Sequence, residues 1–169
     1  MKIEIHPLEN VTIDSITVSL GEARTDVETS LGKGQVIGNR CYYFDSEMAI
    51  DYDESDKVEF IEFLGGVGGS LHPTLYGSSI FDANAEEVTA LLIQKNAGEI
   101  DDTEHGYSYA YKKISVGIYR EARPEDVAEM IDEMKSLGIE IEGNEDISAE
   151  TIKANHWATV GIGIAGYYK

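Results

Sequence analysis

The sequence predicts an α+β fold in which two diverged repeats, each a helix followed by three strands, form a mostly antiparallel sheet with the helices packed on it. Helical apolar spacing at 19–31 and 84–92 is followed each time by short runs in which every second residue is apolar. A chain of 169 residues with 42% hydrophobic content can bury one core. We therefore expect a single domain with repeat halves at about 11–64 and 76–168.

The first half begins with a short amphipathic helix. Ser19 and Glu22 have the spacing of a capping box, and Val27 and Leu31 continue at helical spacing until glycine ends the pattern. Aromatic and aliphatic runs follow at 40–44, 48–52 and 57–64, separated by acidic turns. Their alternation predicts an antiparallel meander with one buried face.

The glycine-rich segment 65–69 offers almost no side chain for packing, which predicts a linker between the halves. Asp82 or Asn84 then caps a second helix, and the segment 96–98 ends it. A tight hairpin over 107–119 follows, with two lysines at its turn. The last strand is expected at 158–168.

One extra helix is predicted in the second half, at 124–137, with a proline in its first turn. It carries an apolar stripe formed by Val127, Met130, Ile131, Met134 and Leu137. One face of the second-half sheet has almost only small residues, namely Ser108, Ala110, Ser115, Gly117, Thr159, Gly161, Gly163 and Ala165. We expect the inserted helix to cover this face, because its stripe needs burial, and a partner protein is the alternative occupant.

The net charge of the chain indicates which classes of partner it attracts and which it repels. Thirty-two acidic and 13 basic residues give a formal net charge of -19, which repels phosphate backbones and anionic lipids and attracts basic proteins. We therefore expect no nucleic acid and no membrane surface as a partner. The N-terminus lacks the apolar core of a signal peptide, and Cys41 is the only cysteine, so the sequence predicts a cytoplasmic protein without an intrachain disulfide.

The segment 51–62 has the spacing of a calcium-binding loop, with Asp51, Asp53, Ser55, Lys57, Glu59 and Glu62 at the ligand positions. However, Asp56 stands where that loop needs glycine, and the flanking residues alternate like strands. We therefore predict an acidic hairpin turn, no metal and no cofactor. The four histidines are scattered, and no base lies near Cys41 in the sequence, so no catalytic residue is assigned.

A helix followed by a three-stranded meander, repeated once, resembles the tandem architecture of the secreted β-lactamase inhibitor proteins. The matching stretches are 19–31 with 40–44 and 84–92 with 107–119, although those inhibitors contain disulfides and this chain has a single cysteine. Small acidic bacterial immunity proteins, which neutralise a basic toxin, are similar to it in size and charge. The resemblance implies a non-enzymatic binding protein.

We expect an acidic, tyrosine-bearing surface to dock a basic protein. The candidate binding residues are Tyr43, Asp51, Asp53, Glu59, Tyr107 and Tyr119. Two alternatives stay open at this point. One is an enzyme or small-ligand-binding protein with a pocket under the inserted helix, and the other is a homo-oligomeric module that associates through its small-residue face.

The interpretation of 51–62 as a plain acidic turn makes a direct prediction. Thermal unfolding of the protein should give the same Tm in micromolar calcium and in excess chelator, because a ligand that binds only the folded state raises Tm. A rise of several degrees in calcium would contradict this interpretation.

Overall fold

The structure, a computed structural model, describes all 169 residues and has an α+β fold, as the sequence predicts. Most of its strands are short. In chain order they are β1 (Ile3–His6), β2 (Asn10–Ile13), β3 (Ile16–Ser19), β4 (Gln35–Ile37), β5 (Arg40–Tyr43), β6 (Met48–Tyr52), β7 (Val58–Phe63), β8 (Thr74–Leu75), β9 (Ser78–Ser79), β10 (Ile100–Asp101), β11 (Ser108–Tyr111), β12 (Val116–Tyr119) and β13 (Thr159–Gly163). The helices are α1 (Arg24–Leu31), α2 (Ala85–Asn96), α3 (Pro124–Ser136) and α4 (Glu145–Asn155).

The larger sheet has eight strands in the order β10-β11-β12-β13-β7-β6-β5-β4, and every pairing in it is antiparallel. The last strands of the two halves, β7 and β13, meet at its centre. Each half places a helix first and then four strands that run from an edge of the sheet to this central pair. The sequence missed the short edge strands β4 and β10, and an origin of the halves by duplication stays a prediction.

Apolar side chains form continuous rows across the inner face of this sheet. In one row the register aligns Tyr111, Val116, Ile162, Ile61, Ile50 and Cys41. The neighbouring row aligns Tyr109, Ile118, Val160, Phe63, Met48 and Tyr43. Val27 of α1 and Val88 and Leu92 of α2 are fully buried in the same core cluster.

A second sheet of five strands, in the order β3-β2-β1-β8-β9, was not predicted. Its strands have two to four residues each, too few to establish an alternating pattern. Ile3, Ile5, Val11 and Val18 nevertheless join the same cluster of 27 buried residues as the eight-stranded sheet. The two sheets thus share one core.

The two predicted helix starts have different outcomes. Asn84 caps α2 as expected, because its side chain accepts a hydrogen bond from the Glu86 amide at 2.9 Å. Ser19 is not a helix cap: it ends β3, its amide donates to Glu22 Oε2 at 2.7 Å, and α1 begins at Arg24. The reciprocal bond expected of a capping box thus stabilises a strand-to-helix turn.

The side chain of Glu47 lies against the glycine-rich segment 65–69 and binds the two residues that follow it. Glu47 Oε1 accepts hydrogen bonds from the amides of Ser70 at 2.7 Å and Leu71 at 3.3 Å. A Cβ atom at Gly65 or Gly69 would overlap this same oxygen. The glycines therefore provide room for the Glu47 carboxylate, which ties the connection in place.

The inserted segment forms a pair of helices, α3 and α4, that pack mainly on each other. The stripe of α3 is only half-buried, and Leu137 at its end is 68% exposed. None of the four helices has the length and hydrophobicity that a membrane-spanning helix requires. The expectation that α3 covers the small-residue face is wrong, because α3 packs on α4 instead.

Aromatic rings cover the glycines of the small-residue face instead. A Cβ atom at Gly117 would overlap the ring of Tyr168, and one at Gly161 would overlap Phe60. The rings of Phe60 and Tyr167 are stacked with centroids 4.6 Å apart, and Tyr168 lies edge-on to Phe60 at 6.2 Å. The C-terminal tyrosines therefore rest directly on the sheet backbone.

This packing predicts that Gly161→Ala lowers the free energy of unfolding by about 1 to 3 kcal/mol, because the added methyl displaces the stacked Phe60 ring. Gly68→Ala is the matched control, since nothing lies within 4 Å of its added Cβ, and it should change stability by less than about 0.5 kcal/mol. Urea denaturation measures both. Equal stabilities for the two variants would show that Phe60 does not rest on Gly161.

Candidate functional site

The outer face of the eight-stranded sheet, opposite the apolar rows, carries charged, aromatic and small residues. One register row on this face aligns Asp101, Ala110, Gly117, Gly161, Glu62, Ala49 and Tyr42. Three consecutive side chains of the row are short, at Ala110, Gly117 and Gly161, and Asp101 and Glu62 flank them. The outer face is therefore shallow in the middle of the second half and raised around it.

A cavity of about 310 Å³ lies on this face. We call it the acidic groove. Its lining residues are Phe60, Glu62, Asp101, Glu104, Ser108, Tyr109, Ala110, Gly117, Ile118, Tyr119, Thr159, Gly161 and Tyr168. The lining thus includes three carboxylates and the aromatic side chains of Phe60, Tyr119 and Tyr168, but no lysine, arginine or histidine.

Strand pairing explains how the sequence builds the groove. Asp101 on β10 faces Ala110 on β11, and Ala110 faces Gly117 on β12. The neighbouring pair, Ser108 and Tyr119, brings the tyrosine to the same face. Asp101 and Tyr119 therefore stand two strand spacings apart and two residues apart along the strand direction, about 12 Å between Cα atoms, across a floor of small side chains.

The carboxylates at the β10 end of the groove are negatively charged. Asp101 Oδ1 accepts hydrogen bonds from the Thr103 hydroxyl at 2.7 Å and the Thr103 amide at 3.0 Å, which hold the pKa of Asp101 below its usual value. Glu104 lies in the exposed turn that follows. Glu62, at the other end, is paired with Arg40 at 2.6 Å. The carboxylates without a basic partner are thus at the β10 end of the groove.

Two of the sequence-predicted binding residues lie on the outer face. Tyr119 lines the groove, is 44% exposed and makes no hydrogen bond through its hydroxyl. Asp51 lies in the first half of the sheet, where it accepts two hydrogen bonds from Arg40, at 2.9 and 3.1 Å. These bonds raise the pKa of Arg40 and fix Asp51 in an ion pair, which leaves Tyr119 as the freer group.

The remaining four predicted residues do not join this site. Tyr43 is 8% exposed and donates its hydroxyl to the Gly32 carbonyl at 3.0 Å, so it belongs to the core. Asp53 accepts hydrogen bonds from two amides of its own turn. Glu59 is the unmatched residue at an irregularity between β6 and β7. Tyr107 donates its hydroxyl to Asp126 at 2.7 Å.

Sequence reasoning missed Asp101, Glu104 and Tyr168. Adjacent acids such as those at 101–102 carry no information in a chain with 32 carboxylates. The usable signal was the small-residue face itself, because glycine in a strand marks close approach of another group. That signal locates the floor of the groove but does not identify its walls.

The side chains that could act in catalysis or metal binding do not come together in one site. Cys41 is a buried free thiol, 2% exposed, with a guanidinium nitrogen of Arg24 at 3.6 Å from its sulfur. No group of three or more metal-ligating side chains is present. The segment 51–62 forms the end of β6, a turn and β7, without the helices of a calcium loop.

The structure also contains a cleft beside the inserted helices. A cavity of about 200 Å³ lies between the glycine-rich segment and the end of α4, lined in part by Lys153, His156 and Trp157. Lys153 pairs with Glu150 at 3.1 Å, and His156 Nδ1 lies 2.9 Å from the Phe81 carbonyl oxygen. Its polar groups are thus engaged within the protein, and the cavity is smaller than most ligand pockets.

Comparison with known proteins does not indicate a function, so the function is inferred from the geometry. No family model matches the chain, and neither a curated protein nor a solved structure is significantly similar to it. The likeness to inhibitor and immunity proteins thus stays a prediction.

The contrast between Tyr43 and Tyr119 can be tested by removing each hydroxyl. Tyr43→Phe should lower the free energy of unfolding by about 1 kcal/mol, because it leaves the Gly32 carbonyl without its hydrogen bond. Tyr119→Phe, the matched control at the surface, should change it by less than about 0.5 kcal/mol. Urea denaturation would contradict these placements if Tyr119→Phe were the more destabilising change.

Proposed function

We propose that this chain is a non-enzymatic binding protein, of the immunity or inhibitor type, that docks a basic protein through its outer sheet face. The observation that carries the proposal is the acidic groove, whose lining combines exposed tyrosine with carboxylates and contains no basic side chain. Tyrosine supplies a large contact area at interfaces, and unpaired carboxylates select a positive partner.

The net charge of the chain supports the same class of partner. At -19, the whole molecule attracts a basic protein over a distance of several ångströms and accelerates its encounter. It repels nucleic acids for the same reason. The net charge alone does not select one docking position. The groove does so, because binding energy concentrates in a few well-packed aromatic and charged contacts.

The groove is smaller than a complete protein interface, which buries about 800 Å² on each partner. The rest of the outer face extends it with Tyr42 and Asp51 on the first half of the same sheet. A partner seated on the groove would therefore also meet the ion-paired cluster around Arg40. We further propose a cytoplasmic location, since the only cysteine is a free, buried thiol.

Peptide selection tests the proposed function without a known partner. Random peptides displayed on phage should be enriched, after selection on the purified protein, in sequences of net positive charge. Titration of an enriched peptide should show a Kd about tenfold higher for Glu104→Lys than for the unchanged protein.

The matched control is Glu142→Lys, which changes the net charge equally at an exposed site between α3 and α4. It should alter the Kd less than about twofold, because screened charges far from the peptide contribute little. Equal weakening by both variants would mean that the peptides respond to overall charge and that the groove is not the docking site.

A further inference from the structure

The chain places all four of its arginines in the same way. Each guanidinium lies over an aromatic ring, at 4.9 Å for Arg24 on Tyr52, 6.0 Å for Arg40 on Tyr42, 4.8 Å for Arg120 on Trp157 and 4.6 Å for Arg123 on Tyr107. Each one also pairs with a carboxylate, on Glu28, Asp51, Glu86 and Asp126 respectively. An aromatic ring with a carboxylate beside it is thus the repeated arginine site of this protein.

The arrangement around Arg123 shows the geometry most completely. A guanidinium nitrogen lies 2.9 Å from Asp126 Oδ1, while the Tyr107 hydroxyl donates to Asp126 Oδ2 at 2.7 Å. These bonds hold the pKa of Asp126 well below its usual range. The ring and the carboxylate therefore act together on one flat cation.

Lysine is not used in this way. Of the nine lysines in the chain, one lies over a ring, Lys95 above Tyr76 at 5.2 Å, and it has no carboxylate partner. Lys112 and Lys153 form ion pairs away from any ring. The difference follows from shape, since a planar guanidinium stacks on a ring while its edge donates to a carboxylate, and an ammonium does not.

The acidic groove contains the same two components without an arginine. Tyr119 supplies an exposed ring, and Asp101 and Glu104 supply carboxylates that line the same cavity. The short side chains of Ser108 and Ala110 leave the space between the ring and the carboxylates open. The ring of Tyr168, resting on Gly117, forms the opposite wall.

Building on the proposed function, we propose that the acidic groove receives an arginine side chain of the basic partner. Its guanidinium stacks on Tyr119 and donates hydrogen bonds to the carboxylates of Asp101 and Glu104. Asp101 Oδ1 accepts two hydrogen bonds from Thr103, so Oδ2 is the oxygen that remains free to accept one from the cation. A cavity of about 310 Å³ accommodates one side chain of this size and excludes a folded element.

A titration followed by ¹⁵N-¹H correlation spectra tests this proposal with defined probes. Nα-acetyl-arginine amide should shift the backbone resonances of Asp101, Ala110, Gly117 and Tyr119. The matching lysine amide and the uncharged citrulline amide should bind the groove at least about fivefold more weakly, because one lacks the flat cation and the other lacks charge.

Substitutions in the groove test whether the arginine amide binds there. Tyr119→Leu and Asp101→Asn should each weaken arginine-amide binding about fivefold, and Tyr119→Phe, which keeps the ring, should restore it to within about twofold. Glu142→Gln is the control for the loss of one charge and should leave binding unchanged. The spectra of the variants themselves establish that each one is folded.

The outcomes separate this inference from the proposed function. Equal shifts with arginine and lysine amides, or shifts spread over the whole acidic surface, would overturn the arginine site while basic peptides continue to depend on Glu104. If the peptides show no such dependence, the proposed function fails, whereas groove-specific shifts with arginine amide would still support the arginine site.

Discussion

The pairing of β7 with β13 is the interaction on which the rest of the structure depends. It joins the last strands of the two halves, with Phe63 facing Val160 and Ile61 facing Ile162. These four side chains link the apolar rows of the two halves, so the eight strands bury one continuous face. Separating this pair would expose the rows at the centre of the sheet, where burial is most complete.

The same pairing creates the outer face. Gly161 lies between Gly117 and Glu62 in the central row, which leaves room for the rings of Phe60 and Tyr168 on the backbone. The C-terminal segment covers part of this face, and the uncovered part is the acidic groove. The site is therefore a consequence of small residues at the centre of the sheet and carboxylates at its β10 edge, within a chain of strongly negative charge.

Local patterns in the sequence predicted α2, the β11–β12 hairpin and the central strands, because their capping residues and alternation lie close together along the chain. The strands β1 to β3 escaped prediction, since their stability comes from burial in a shared core rather than from local pattern. The groove was still harder to predict from the sequence. Tyr119 was named from the sequence, but its proximity to Asp101 depends on the pairing of β10 with β11. The prediction that α3 covers the small-residue face was wrong because no local pattern in the sequence shows that α3 packs on α4.

Native-state hydrogen exchange is the most direct test of a single sheet joined at its centre. The backbone amides hydrogen-bonded within the β7–β13 pair, in the segments 60–63 and 160–163, should exchange only through global unfolding. The free energies measured on the two strands should then agree with each other and with that from denaturant unfolding. Exchange of one half at lower free energy, with the other half still protected, would contradict a single cooperative sheet and with it the origin proposed for the groove.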